Sequence, residues 1–195
     1  GVHVNNGGVF ILNNGIIAGN VAGFGGGVYV AGTFTMNGGE IADNFAAEHG
    51  GGVASGGTFT LNGGEIAGNS ISSNTSSSPH SRGGGGVFAG GAFTMTGGTI
   101  AGNSAFGNDV YGGGVYIADW NNLSFKKTGG TIYGSNGSVI NNKETRNLVK
   151  ELPDNLVNSK GHAVYHDAAR FRDTTLEGGN ELYYNDPVKG TSGWN

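Results

Sequence analysis

A phrase of about 25 residues recurs along this chain, and internal repetition at that period restricts the fold more than any single residue can. It reads Gly-Gly-Gly-Val-Tyr-Val at 25–30, then Thr-Phe-Thr-Met-Asn-Gly-Gly-Glu-Ile-Ala-Asp-Asn at 33–44. Close copies follow at 50–69 and 84–103, and weaker ones occupy 2–20, 115–136 and 164–185. One Val per copy falls at 2, 28, 53, 87, 115 and 164, and a closing Asn falls at 20, 44, 69, 103, 136 and 185. The shortest spacings set the unit, and the longer ones, up to 49, mark insertions.

Each unit holds three short segments of period two (V-x-V, F-T-M and x-I-A) separated by Gly or Asn. Each is too short for a helix and suits a strand of three to five residues. Units that repeat in one direction bury their apolar positions only by stacking, with rungs about 4.8 Å apart. The expected fold is all-β: a right-handed parallel β-helix of about six coils with three strands per coil. A leucine-rich solenoid has a similar period but needs several Leu per repeat, which this chain lacks.

Stacking turns the repeat into columns. Val28, Val53, Val87 and Val115 are expected inside, with Phe34, Phe59 and Phe93 in a second column and Ile41, Ile66 and Ile100 in a third. Asn20, Asn44, Asn69, Asn103, Asn136 and Asn185 are expected at a corner, with amides bonded along the axis as in other cross-β ladders. Tyr29, Phe88 and Tyr116 alternate with inward residues, so they are expected outside as a broken aromatic stack. Tight corners that need φ > 0 account for the Gly pairs. One domain over 1–186 is expected, with a tail at 187–195. Insertions fall at 70–82, which is Ser-rich, and at 137–160. In the second, Asn142 is expected to cap a short helix with Leu148, Val149 and Leu152 on one face, ended by Pro153. Gly1-Val2-His3-Val4 reads as mid-repeat, so a fragment of a longer protein is expected.

Composition narrows the function. Gly supplies 42 of 195 residues, but in clusters and with only 3 Pro, which excludes collagen. The net charge is −4, and residues 1–125 hold one cation, Arg82, against six carboxylates, so no basic stripe meets a nucleic acid. There is no Cys for disulfides or thiolate zinc sites, and no apolar run long enough to cross a bilayer as a helix. No membrane insertion and no cofactor are expected.

Gly-Gly-x-Val at 25–28, 50–53, 84–87 and 112–115, paired with Phe-x-x-Asn at 10–13, 34–37 and 59–62, resembles the GGA(I/L/V) and FxxN repeats of the chlamydial polymorphic outer-membrane proteins. It is similar also to Gly-Gly-rich surface repeats of treponemes and gut bacteria. The likeness covers about residues 1–136 and thins beyond. It implies an autotransporter-like passenger or surface-anchored module, extracellular or on the bacterial cell surface, acting in adhesion. The implied partner is a host-cell, matrix or glycan ligand.

Candidate sites are few. P-loop, dinucleotide, nucleophile-elbow and zincin motifs are all absent. His162 and His166 would converge on a metal only from a helix; on a strand four residues span about 13 Å. Glu40 and Glu65 occupy equivalent outward positions of successive coils, which suits a cation, a sugar or a retaining-glycosidase pair. The following copies carry Thr99 and Thr131 and no neighbouring Lys or Arg, so a solvated face accounts for both carboxylates. No catalytic or metal residue is assigned. The T-x-T pairs at 33–35 and 58–60 reflect β-propensity. The leading expectation is therefore a non-catalytic adhesin-like interaction module that binds through inserted loops or lateral faces, contacting ligand through Tyr29, Phe88, Tyr116, Glu40 or Glu65. A polysaccharide-acting enzyme on the same scaffold, a polyuronide lyase or glycosidase, is the alternative.

Overall fold

The computed structural model describes residues 1–73, 82–107, 110–118 and 125–133, together with strand backbones at 139–140, 143–144, 148–150 and 164–166. The chain winds in coils. The first coil is β1 (Val2–Val4), β2 (Val9–Leu12), β3 (Ile16–Ala18) and β4 (Val21–Phe24); the second is β5 (Val28–Val30), β6 (Thr33–Met36), β7 (Glu40–Ala42) and β8 (Phe45–His49). The third is β9 (Val53–Ser55), β10 (Thr58–Leu61), β11 (Glu65–Ala67), β12 (Ser70–Ser73) and β13 (Arg82–Gly83). The fourth is β14 (Val87–Ala89), β15 (Phe93–Met95), β16 (Thr99–Ala101), β17 (Ser104–Gly107) and β18 (Val110–Tyr111). Then come β19 (Val115–Ile117), β20 (Phe125–Lys127) and β21 (Thr131–Ile132), the short strands β22 (Val139–Ile140), β23 (Lys143–Glu144) and β24 (Leu148–Lys150), and finally β25 (Val164–His166).

Equivalent strands pair in parallel and in register, so the repeat stacks residue on residue. The first sheet runs β1-β5-β9-β14-β19-β25, giving six rungs with Val2, Val28, Val53, Val87, Val115 and Val164 in one column. The second runs β2-β6-β10-β15-β20 and the third β3-β7-β11-β16-β21. This is a parallel β-helix, and all ten predicted Val, Phe and Ile core residues are fully buried. The rung spacing stacks the Phe rings: Phe34 to Phe59 is 5.0 Å and Phe59 to Phe93 is 4.9 Å between centroids, with the ring planes nearly parallel. Each such residue, removed from water, contributes roughly 1.5–3 kcal/mol.

The coil has four sides where the repeat pattern suggested three. Past each corner Asn the chain continues extended, and β4, β8, β12 with β13, and β17 with β18 form a fourth parallel sheet. The expected helix near Leu148 is also corrected. No helix occurs among the described residues, and Leu148–Lys150 is a strand paired with β17. The edge of β17 offers backbone groups that an extended segment satisfies directly, and that outweighs a single helical turn.

Two kinds of corner close the coil. Between the third and fourth sides the predicted Asn ladder is present. Asn20, Asn44 and Asn69 each donate both the backbone N–H and Nδ2 to Oδ1 of the next Asn, at 2.9–3.0 Å. Asn44, Asn69 and Asn103 are buried, and their Nδ2 groups also bond carbonyls of Ile17, Ile41 and Ile66. Asn136 and Asn185 lie outside the described residues. A second ladder, Asn13–Asn37–Asn62 continued by Thr96, runs along an exposed edge. Between the fourth and first sides the Gly-Gly-Gly clusters turn. Gly50 has φ +61°, and a Cβ there would collide with the Val53 carbonyl, so neither the dihedral nor the space admits another residue.

One inward position breaks the chemistry of its column. Leu12, Met36, Leu61 and Met95 align with Lys127, which is 3% exposed and whose Nζ has no hydrogen-bond partner. Burial lowers its pKa from the ordinary lysine value.

Candidate functional site

The fourth side is built from the residues that follow the Asn ladder. Two positions past each Asn stands an apolar residue, Ala22, Ala46, Ile71 or Ala105, and the last three are buried together with Val110 in a small core of their own. Alternation then sends the intervening residues outward. Phe45, Ser70 and Ser104 form one half-buried column, and Ser72 stands beside Phe106 in the next. Glu48 Oε2 lies 3.6 Å from Arg82 Nη2, with the Arg82 side chain 13% and the Glu48 side chain 40% exposed. The side therefore offers aromatic edges, hydroxyls and an ion pair.

Both insertions attach to this side. The first leaves from the end of β12 and returns at β13, so 70–82 is narrower than a loop throughout: Ser70–Ser73 and Arg82–Gly83 are strands, and 74–81 lies outside the described residues. The second contributes β24, which extends the same sheet. The antiparallel pair β22–β23 precedes it, and the remainder of 137–160 is outside the described residues.

The predicted contact residues sit elsewhere. Glu40 and Glu65 are paired on the third side, half-buried, in a column that reads Ile16, Glu40, Glu65, Thr99 and Thr131. No Lys or Arg occupies that column. Tyr29, Phe88 and Tyr116 point away from the main core, and Ala54 interrupts their stack as the sequence indicates. They do not form an open stacking surface. Phe88 and Tyr116 are only 5% and 1% exposed, because the ends of the fourth-side strands fold over them: His49 lies 4.3 Å from Phe88, and Gly83 leaves room for the Tyr116 ring. Tyr111 joins this second core. Only Tyr29 stays half-open, edge-on to His3 at 4.9 Å, beside a cleft of about 510 Å³ that Phe24 and Val21 also line.

Phe45, Phe106 and the Glu48–Arg82 pair were not found from the repeat, because they do not recur. The apolar residue at the second position after each Asn was the available signal. Among the described residues no cluster of three or more His, Asp or Glu is placed to hold a metal, and no helix is long and apolar enough to cross a membrane. Comparison of the chain with family models, with curated proteins and with solved structures finds no match.

Proposed function

We infer that the chain is a non-catalytic interaction module, an adhesin-like segment displayed at a bacterial cell surface, which binds a host-cell, matrix or glycan ligand through its fourth side. The observation that carries this reading is the attachment of both insertions to one sheet. In a solenoid the inward positions and corners are held by stacking, so recognition is built where coils differ, and insertions gathered on one side form one surface. Phe45, Phe106, Ser72 and the Glu48–Arg82 pair supply stacking and hydrogen bonding beside them. The resemblance of the Gly-Gly-x-Val and Phe-x-x-Asn repeats to surface proteins supports the same setting.

The test replaces 74–81 by a Gly-Asn turn and, separately, Phe45 and Phe106 by Ser. Binding to host cells, matrix proteins and a glycan array is then compared with that of the parent. Loss of binding with an unchanged melting temperature is expected. Unaltered binding by both variants would move the site off the fourth side. A polysaccharide-acting enzyme is the competing reading, carried by the in-register Glu40 and Glu65. Release of reducing ends or unsaturated products from pectate, alginate or neutral glycans, abolished by Glu40→Gln or Glu65→Gln, would establish it instead.

A further inference from the structure

The corner between the second and third sides carries the same labile dipeptide in successive coils. Asn37-Gly38 and Asn62-Gly63 occupy equivalent positions there, and both Asn residues are exposed. Asn is thermolabile, and a following Gly leaves its own nitrogen unhindered by a Cβ. That nitrogen adds to the Asn Cγ, the Cγ–Nδ2 bond breaks and ammonia leaves. Water then opens the resulting five-membered imide at either carbonyl and yields aspartate or isoaspartate.

Packing dictates the dipeptide. A Cβ at Gly38 would lie 2.6 Å from the Asn13 carbonyl oxygen of the coil before, and one at Gly63 would lie 2.6 Å from that of Asn37. Gly97 and Gly129 are pressed in the same way against the carbonyls of Asn62 and Thr96. Only Gly fits after the ladder position, so an Asn in the ladder creates the labile pair. The buried ladder escapes this constraint: Asn44, Asn69 and Asn103 are followed by Phe45, Ser70 and Ser104, which open strands with their side chains outward.

The exposed ladder holds the amides by both ends. Asn37 Nδ2 donates to Asn13 Oδ1 at 2.8 Å, and Asn37 Oδ1 accepts from Asn62 Nδ2 at 2.9 Å. Asn62 Oδ1 in turn accepts from Thr96 Oγ1 at 2.7 Å. The attacking nitrogen of the second pair is also engaged, because the Gly63 N–H donates to the Met36 carbonyl at 3.3 Å. Cyclisation needs the amide to turn off the coil axis onto its own following nitrogen, which breaks the ladder bonds.

We propose that Asn37 and Asn62 are latent deamidation sites and that the exposed ladder is what keeps them as amides. The loss propagates: a carboxylate at 62 no longer donates to Asn37 Oδ1, which releases one end of the neighbouring amide. The isoaspartate form also adds a methylene to the backbone where successive coils touch, and so displaces the strand that follows from its register.

Peptide mapping by mass spectrometry of the intact chain, incubated at mildly alkaline pH, tests this. Conversion of Asn62 to the acid should be at least about tenfold slower in the native chain than in the same chain unfolded in urea. Asn37→Ala removes the acceptor of Asn62 Nδ2, and Thr96→Val removes the donor to its Oδ1; each should speed conversion at Asn62 about threefold or more. Asn37→Asp keeps an acceptor oxygen and should leave Asn62 slow. All three substituted positions are exposed, so the far-UV spectrum should not change. Equal rates in the native and urea-unfolded chain, or no conversion in urea, overturn the proposal. Unaltered rates in Asn37→Ala and Thr96→Val, or equal acceleration by Asn37→Asp and Asn37→Ala, overturn the role of the ladder.

Discussion

The two Asn ladders allow one bond type to be weighed in two environments. Asn69 is fully buried, and its Oδ1 accepts from the Asn44 backbone N–H at 3.0 Å and from Asn44 Nδ2 at 2.9 Å. Its own Nδ2 donates to the carbonyls of Ile41 at 2.8 Å and Ala67 at 3.0 Å and to Asn103 Oδ1 at 3.0 Å. Asn69→Ala strands two donors of Asn44 where water cannot replace the lost oxygen. At about 1–3 kcal/mol for each buried unsatisfied group, and with a small cavity added, the loss should be about 4 kcal/mol. Asn62 makes the same amide bond to Asn37 at 2.9 Å and accepts from Thr96 at 2.7 Å, but it is exposed. Asn62→Ala lets solvent take over these partners and should cost less than about 1 kcal/mol. For a chain of this size, 1 kcal/mol moves Tm by about 2–4 °C. Thermal melts followed by far-UV circular dichroism should therefore show a fall of about 8–16 °C for Asn69→Ala and no more than about 4 °C for Asn62→Ala. Equal falls would refute the reasoning, because the ladder's contribution would then not depend on burial.

Other substitutions probe other levels of the structure. Lys127→Met restores the Met/Leu chemistry of its column and should stabilise the protein by about 1–3 kcal/mol at neutral pH. The native lysine has its folded pKa below its unfolded one, so wild-type stability should rise with pH through the window up to the ordinary value of about 10.4, and denaturant titrations at pH 7 and 10 should show the variant losing that slope. Ile66→Asp places an unpaired carboxylate in a dry column and should cost several kcal/mol, whereas Thr60→Asp on the outer face should cost little; similar urea midpoints would contradict the inside/outside assignment. Asp43 has φ +53° where the equivalent residues are Gly19, Gly68 and Gly102 with φ +63° to +68°, so Asp43→Gly should raise stability by about 1 kcal/mol in the same assay.

The sequence by itself determined the columns. In parallel, in-register stacking a residue's neighbour along the axis is the same position of the next repeat. Recurrence of Val28, Phe34, Ile41 and Asn44 at the repeat spacing therefore already specified burial, ring stacking and the amide ladder. The Gly corners were legible for the same reason, since each copy turns at the same place. Tertiary structure alone decided what does not recur. The fourth side recurs only at its inward position, Ala22, Ala46, Ile71 and Ala105, while its outward residues change from coil to coil, as Phe45, Ser70 and Ser104 do, and its strands were recognised through their pairing. The burial of Phe88 and Tyr116 depends on His49, Gly83 and Tyr111, which reach them from the neighbouring side and not from the next repeat. Leu148–Lys150 carries a plausible helical face in isolation, and the open edge of β17 made it a strand. Repetition fixes contacts along the axis; contacts across the coil join unlike residues, and no periodicity records them.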